Sequence, residues 1–494
     1  MRPGSPSLAP TAPGDGPFPK LGTWDAVSII VGIVIGAGIY ETPPLVFSSV
    51  SGPAELFAVW ALGGLLSLVG ACCYAELAST YPRSGGDYVY LTRAFAPLVG
   101  FLFGWAQLAV IMTGSIGMMA YVFADYGGAL WGLSPGSTAL LAASAVLLLT
   151  ACNMAGVALG KKAQNALSLV KFLGLLAVIA CGLLFARASV GATAPVPSSD
   201  KVSLGLAMVL VLYTFGGWND AAYVAAEVRD PRRNLPRALL LGTLAITLVY
   251  LLINLAFLVG LGFEGARQSR AIAVDLLRAA IGDSGAILIS VLVMVSALST
   301  VNALIFTGSR IHATLGKDFR ALGLLGRWHP RFGSPIWSLV AQLAITLALI
   351  AIVGTRWGRS LVDGGLAAVG LARADWSGHG GFDALLRCTA PVFWLFFLLT
   401  GLSLFVLRVR EPERPRPFRV PLYPLLPLTF CGTCAAMLYS AIVYAGMLTL
   451  IGVLPLLLGI PLYFASRRRR KEPSDETMEV RCDRQSARRR VLAE

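Results

Sequence analysis

Apolar residues along this chain neither alternate with polar ones nor mark a single stripe of a surface helix. They run in blocks of about 20, the length a helix needs to cross the hydrocarbon core of a bilayer. Twelve blocks are read, at 25–48, 54–79, 95–124, 137–156, 164–186, 203–226, 238–262, 285–308, 336–354, 383–407, 420–441 and 446–465. Most are bounded by charges, Pro or Gly. The last two are interrupted by Pro421, Pro424, Pro427, Pro455 and Pro461. Membrane helices tolerate Pro where neighbours satisfy the freed carbonyls. The pattern predicts an all-α polytopic membrane protein with twelve transmembrane helices.

Composition agrees. Of 494 residues, 56% are hydrophobic and only 13% are charged, where soluble proteins carry about 25% charged residues. Mean hydropathy is +0.72. A soluble enzyme of several domains is excluded. The net charge of +14 would suit nucleic acid, but its placement does not. With the N-terminus inside, 30 of the 40 Lys and Arg fall on the inner side and nine on the outer, leaving Lys171 within a span. This bias predicts both termini in the cytoplasm of a plasma-membrane protein. Three regions follow: a disordered cytoplasmic N-terminus at 1–20, a transmembrane domain at 21–466, and a basic cytoplasmic tail at 467–494. RRRRK at 467–471 reads as a stop-transfer flank or as an attractor of anionic lipid. Residues 1–20 hold no apolar stretch, so no cleavable signal peptide is expected and the first span serves as the insertion signal. Most of the eight cysteines lie in or beside apolar runs and imply no disulfide framework. The Gly-rich segment 355–381 fits either a loop or a short helix.

Two spans carry a glycine cluster at mid-membrane: Gly36-Ala37-Gly38 in the first and Gly216-Gly217 in the sixth. They lie five spans apart, an odd number, so the two halves would be inverted relative to each other. Glycine weakens a helix, and unwound backbone in a bilayer survives only where it is buried or lines a cavity. One cluster alone also fits close helix packing. Two in matched positions point to a transporter binding site. A half-helix start offers N–H groups to an anion, and free carbonyls opposite accept from an ammonium. A free amino acid carries both groups.

Several long stretches then resemble one family: IGAGIY at 35–40, YAELASTYPRSGGDYVYL at 74–91, FGGWNDAAYVAAEVRDPRRNLPRA at 215–238, LSTVNALIFTGSR at 298–310 and RPFRVPLYP at 416–424. Over residues 20–466 the chain resembles the amino acid–polyamine–organocation (APC) superfamily, in its L-type amino acid transporter-like branch. The resemblance implies a LeuT-type fold, with 5+5 inverted repeats and two extra helices. It also implies a pocket. Gly36, Ala37, Gly38 and Ile39 would meet the substrate carboxylate, with Ala37 standing where the family often has Ser. Tyr213, Thr214 and Phe215 would offer carbonyls to the amine, Tyr213 at the aromatic gate position. Gly216 would leave room for a bulky side chain, Asn219 would line the second half-helix, and Val110, Ile111 and Ser115 would form the far wall.

Lys171 is a charged residue within a span, and such residues are functional candidates. The alternative is snorkelling, but it lies nine residues beyond Lys162, about 13 Å along a helix. The resemblance places it where relatives hold a sodium ion, and carbonyls near Gly32 and a hydroxyl of Ser296, Ser299 or Thr300 are its expected partners. It is then either a proton-exchanging group or a fixed substitute for sodium. Glu41 and Asp220 follow the two breaks and are read as lying on the outer side. They attract a cationic substrate, carry a proton, or are solvated vestibule residues. Glu76 and Glu227, at cytoplasmic helix ends near Arg83 and Arg229, make gating ion pairs or plain loop structure.

Other signals fall away. GVALGKK at 156–162 is one residue short of a phosphate loop, GAGIYE at 36–41 lacks a third dinucleotide-binding Gly, and CGTC at 431–434 sits in an apolar helix. The three His are scattered, so no metal and no cofactor are expected. The reading is a non-enzymatic, sodium-independent secondary transporter of amino acids working by alternating access, as proton symporter or exchanger. A polyamine or cationic amino acid antiporter is the alternative within transport. A non-transporting amino acid sensor and a channel are alternatives outside it. Expected partners are the amino acid, possibly protons, and the lipid bilayer, without nucleic acid. Some L-type relatives join a heavy-chain glycoprotein through a Cys after span 3. The 125–137 loop here has none, so no obligate partner is expected.

Overall fold

The computed structural model describes residues 22–466 apart from 37, 83–84, 134, 185–203, 221, 223–227, 270, 331 and 377–379. Both termini, Ala37, Arg83 and Glu227 therefore lie outside the described residues. All elements among the described residues are helical. In chain order they begin with α1 (Thr23–Val34), α2 (Gly38–Ser49), α3 (Pro53–Thr80), α4 (Asp87–Ala94) and α5 (Pro97–Ala106). A π-helical turn (Gln107–Ile111) joins α5 to α6 (Met112–Trp131), and α7 (Pro135–Met154), α8 (Val157–Leu184) and α9 (Leu204–Thr214) complete the first part. The second part holds α10 (Pro231–Gln268), α11 (Ile272–Ile281), α12 (Asp283–Asp318), α13 (Ile336–Gly354), α14 (Arg356–Ala368), α15 (Gly381–Arg410), α16 (Leu425–Ala445) and α17 (Thr449–Ser466).

Nine helices among the described residues are long and apolar enough to span a membrane. The two Gly-interrupted segments are not among them, because α1 stops at Val34, α2 restarts at Gly38, and α9 stops at Thr214. The last of the nine, Leu425–Ser466, is a single run of 42 residues. It turns at Gly446, whose φ of +52° admits glycine most readily. Burial separates the helices into two groups. The apolar window of Pro97–Trp131 is 78% buried, whereas those of Gln164–Leu184 and Leu425–Ser466 are each 28% buried. In a bilayer the latter two present most of their apolar surface to lipid.

Segment 355–381 holds the short helix α14. Thr355 caps it by accepting from the Gly358 N–H at 3.0 Å. Asp363 Oδ1 in turn accepts from the Ala374 N–H and from Trp376 Nε1, each at 3.1 Å.

At the other end of the bundle, Glu76 near the end of α3 is buried. Arg408 Nε donates to its Oε1 at 2.8 Å, Arg416 Nε lies 3.4 Å from the same oxygen, and the Val420 N–H donates to Oε2 at 2.7 Å. Both arginines come from more than 300 positions away; Arg83, the neighbour noted in the sequence, lies outside the described residues. Nearby, burial works against the charged form of Glu411. Hydrogen bonds from Arg414 and Tyr81 and the Arg93 charge nevertheless hold its carboxyl below the ordinary range. Glu76→Ala leaves two half-buried guanidinium groups without their carboxylate and the Val420 N–H without its acceptor, and is expected to cost about 3 kcal/mol. A lowered thermal unfolding midpoint of the detergent-solubilised protein checks this, and an unchanged midpoint would show that the pair adds nothing to stability.

Candidate functional site

The ends of the interrupted helices pack against each other. A Cβ on Gly38 would lie 3.4 Å from Thr214 Cγ2, and one on Gly217 would lie 2.8 Å from Ile33 Cγ2. Thr42 Oγ1 and Thr214 Oγ1 are 2.7 Å apart. The Tyr250 hydroxyl, from α10, lies 2.9 Å from the Val34 carbonyl and 3.1 Å from the Thr214 carbonyl, and its single proton is shared between the two acceptors. One phenol thus touches the last carbonyl of α1 and of α9, groups that a helix end leaves without an intrahelical donor. The ring packs edge-on against Phe215 and Trp60, with centroids 4.9 and 5.7 Å away. Tyr250→Phe is expected to lower transport about tenfold with the protein still folded, by loss of hydrogen bonds worth about 1–2 kcal/mol. Initial uptake rates at matched protein level read this directly, and wild-type rates would refute a role for the hydroxyl.

Between the breaks lies a cavity of about 160 Å³. Gly36, Gly38, Ile111, Ser115, Tyr213, Thr214, Gly216 and Asn219 line it, as do Thr300, Glu41 and Asp220. Three expected residues do not. Ile39 is fully buried away from the cavity. Phe215 is taken up by Trp60 and Tyr250. Val110 turns its side chain toward Gly452. The π-helical turn explains the last case, because its extra residue per turn shifts the register. Gln107, Ile111, Met112 and Ser115 face the cavity in consequence. Apolar wall comes from Met118, Met119, Leu386 and Phe393, and polar wall from Thr42, Gln107 and Thr389. The sequence reading missed these. The lone glutamine inside an apolar span was a usable signal for Gln107, and Thr42, Met118 and Met119 lie one turn beyond expected site residues on α2 and α6; Leu386, Thr389 and Phe393 come from the distant α15 and had none. Among the described lining residues there are two carboxylates and no Lys or Arg.

Those two carboxylates do not share a vestibule. Glu41 faces Asp125 and Tyr126 at the far end of α6, whereas Asp220 faces Asp87 at the start of α4. The expectation that both lie on the outer side is corrected. The chain runs in opposite directions through the two breaks, so the residue after each break points toward the opposite end of the cavity.

Lys171 is buried. Its Nζ donates to the Gly32 carbonyl at 2.8 Å and to Thr300 Oγ1 at 3.2 Å. This joins α8, α1 and α12 directly behind the first break. Of the three alternative hydroxyls, Thr300 is the one that Lys171 reaches. Ser299 Oγ lies 3.3 Å from Gln164 Nε2 and 3.4 Å from Ser168 Oγ. The Ser296 hydroxyl finds no partner among the described residues, and its carbonyl accepts from Thr300. Among the described residues no group of three His, Cys, Asp or Glu lies together as a metal site.

The sequence pattern of the amino acid permease family matches residues 21–463. This chain belongs to the amino acid permease family. It is an L-type amino acid transporter-like member of the APC superfamily, a multi-pass membrane protein and not an enzyme. The permease is 30% identical to the b(0,+)-type amino acid transporter 1 of Homo sapiens, covering 81% of this chain and 78% of that one. It is 28% identical to the human Asc-type amino acid transporter 1, over 92% and 83%. With the serine/threonine exchanger SteT of Bacillus subtilis it shares 27% identity, over 91% and 97%.

Proposed function

We propose that this permease is a sodium-independent secondary transporter that moves amino acids across the plasma membrane by alternating access, as an exchanger or proton symporter. The cavity between the two helix breaks carries this reading. The start of α2 at Gly38 supplies N–H groups to a carboxylate, and the carbonyl end of α9 at Tyr213–Phe215 lies across from it for the amine. Gly216 leaves room for the substrate side chain, and Asn219, Ile111 and Ser115 line its wall. A wall with carboxylates and no Lys or Arg disfavours substrates with acidic side chains. The Lys171 ammonium, bonded to a carbonyl and a hydroxyl, supports independence from sodium.

The fold proposed with it has twelve spans in two inverted five-helix repeats plus two. It is supported by the nine long apolar helices among the described residues, by the turn that divides the ninth, and by the two Gly-interrupted segments. Charge bias supports cytoplasmic termini, and the absence of Cys from 125–137 supports a chain that works without a disulfide-linked partner. Co-purification of an obligate linked glycoprotein would refute the last point.

Glu41 and Asp220 in the cavity wall favour, as a second reading, a polyamine or cationic amino acid antiporter. The purified permease in proteoliposomes, given labelled neutral and cationic amino acids and polyamines, separates these. Accumulation under an inward proton gradient assigns symport. Uptake only against internal unlabelled substrate assigns exchange. Binding without movement of any compound would overturn transport in favour of a sensor.

A further inference from the structure

A second pocket lies away from the transport cavity. Arg232, Arg233 and Arg237 at the beginning of α10, with Pro417 and Phe418 of the segment joining α15 to α16, enclose an open space of about 700 Å³. Among the described residues its wall holds three arginines and one acid, Asp230, which lies 3.9 Å from Arg233. Both walls continue into exposed apolar surface. Beyond Arg237, Leu241 one turn on and Leu248 about three turns on are 46% and 53% exposed; beyond Phe418, Leu422 and Leu425 are 72% and 61% exposed. In a bilayer these leucines face acyl chains, which puts the pocket mouth at headgroup level.

We propose that this pocket binds the phosphate of an anionic phospholipid. Guanidinium groups grip phosphate oxygens in pairs, basic residues beside a span attract anionic headgroups, and the flanking leucines suit the lipid's chains. A free phosphate would use the arginines alone. The occupant joins α10 to the same segment that holds Glu76 through Arg416 and Val420.

The test titrates full-length protein in neutral detergent with short-chain phosphatidylglycerol and reads the thermal unfolding midpoint. Phosphatidylcholine of the same chain length and inorganic phosphate serve as the other arms. Phosphatidylglycerol is expected to raise the midpoint and the other two to leave it unchanged. Arg232→Gln/Arg233→Gln/Arg237→Gln is expected to need at least about tenfold more phosphatidylglycerol for the same rise. If that variant does not fold, Arg237→Gln alone is read, with an expected weakening of about fivefold. An unchanged dose response in the readable variant, or an equal rise with phosphatidylcholine, overturns the proposal. An arginine-dependent rise with inorganic phosphate also overturns it, assigning the pocket to a soluble anion. The basic tail at 467–471 is present in every protein compared and cancels.

Discussion

Lys171→Ala is expected to lower net uptake about a hundredfold while changing substrate affinity far less. The ammonium is buried and donates at 2.8 Å to the Gly32 carbonyl and at 3.2 Å to Thr300. Hydrogen bonds from a charged group are worth about 1.5–3 kcal/mol each, and the truncation removes two. It also severs the direct link between α8 and α1, the half-helix that must move if access alternates. Thr300 lines the cavity but Lys171 does not, so binding is touched only through a neighbour. Uptake into proteoliposomes and equilibrium binding of the same labelled substrate, measured side by side, check the split. Wild-type uptake in the mutant would remove Lys171 from the transport cycle. An equal loss of binding and uptake would make it a substrate-site residue instead.

Gly217→Ala is expected to destroy function through the backbone. Gly217 has φ +105°, and an added Cβ would lie 2.8 Å from Ile33 Cγ2 on the other interrupted helix. The conformational strain is about 1–3 kcal/mol, and overpacking adds about 1–3 kcal/mol. Relief would require the two breaks to separate, opening the contact that forms the cavity. Uptake is expected to fall more than about tenfold, together with a lower unfolding midpoint. Gly36→Ala is the control. Its nearest new neighbour is Thr300 Oγ1 at 3.5 Å, an ordinary contact, so its midpoint is expected to stay near wild type. Equal behaviour of the two variants would show that space and backbone at Gly217 do not matter.

The sequence revealed features that are written locally. Glycine clusters interrupting apolar blocks marked both breaks, and the structure ends helices at Val34 and Thr214. A lysine too deep to snorkel marked Lys171, and its bonds to Gly32 and Thr300 follow. Legibility stopped where geometry depends on a turn or on distant partners. The π-helical turn moved Val110 out of the cavity and brought Gln107 in, and nothing in the local apolar pattern encodes an extra residue per turn. Ser299 is drawn to Gln164 and Ser168, the two polar groups that α8 presents to it, and their register cannot be read from one helix. Glu76 pairs with Arg408 and Arg416, more than 300 positions along the chain, a match that no local pattern encodes. The error over Asp220 was of another kind: inverted chain direction was inferred for the halves but not applied to the residue after each break.

That inversion has an electrical meaning. Glu41 and Asp220 stand at opposite ends of the cavity, so the path between them has a component along the membrane normal. A zwitterion carries no net charge along it. A substrate with a cationic side chain, leaving one carboxylate for the other, moves through part of the membrane voltage. The full drop is worth about 2.3 kcal/mol per charge at 100 mV. Where no proton travels with the substrate, the same cavity would be indifferent to membrane potential for one class of amino acid and biased by it for the other.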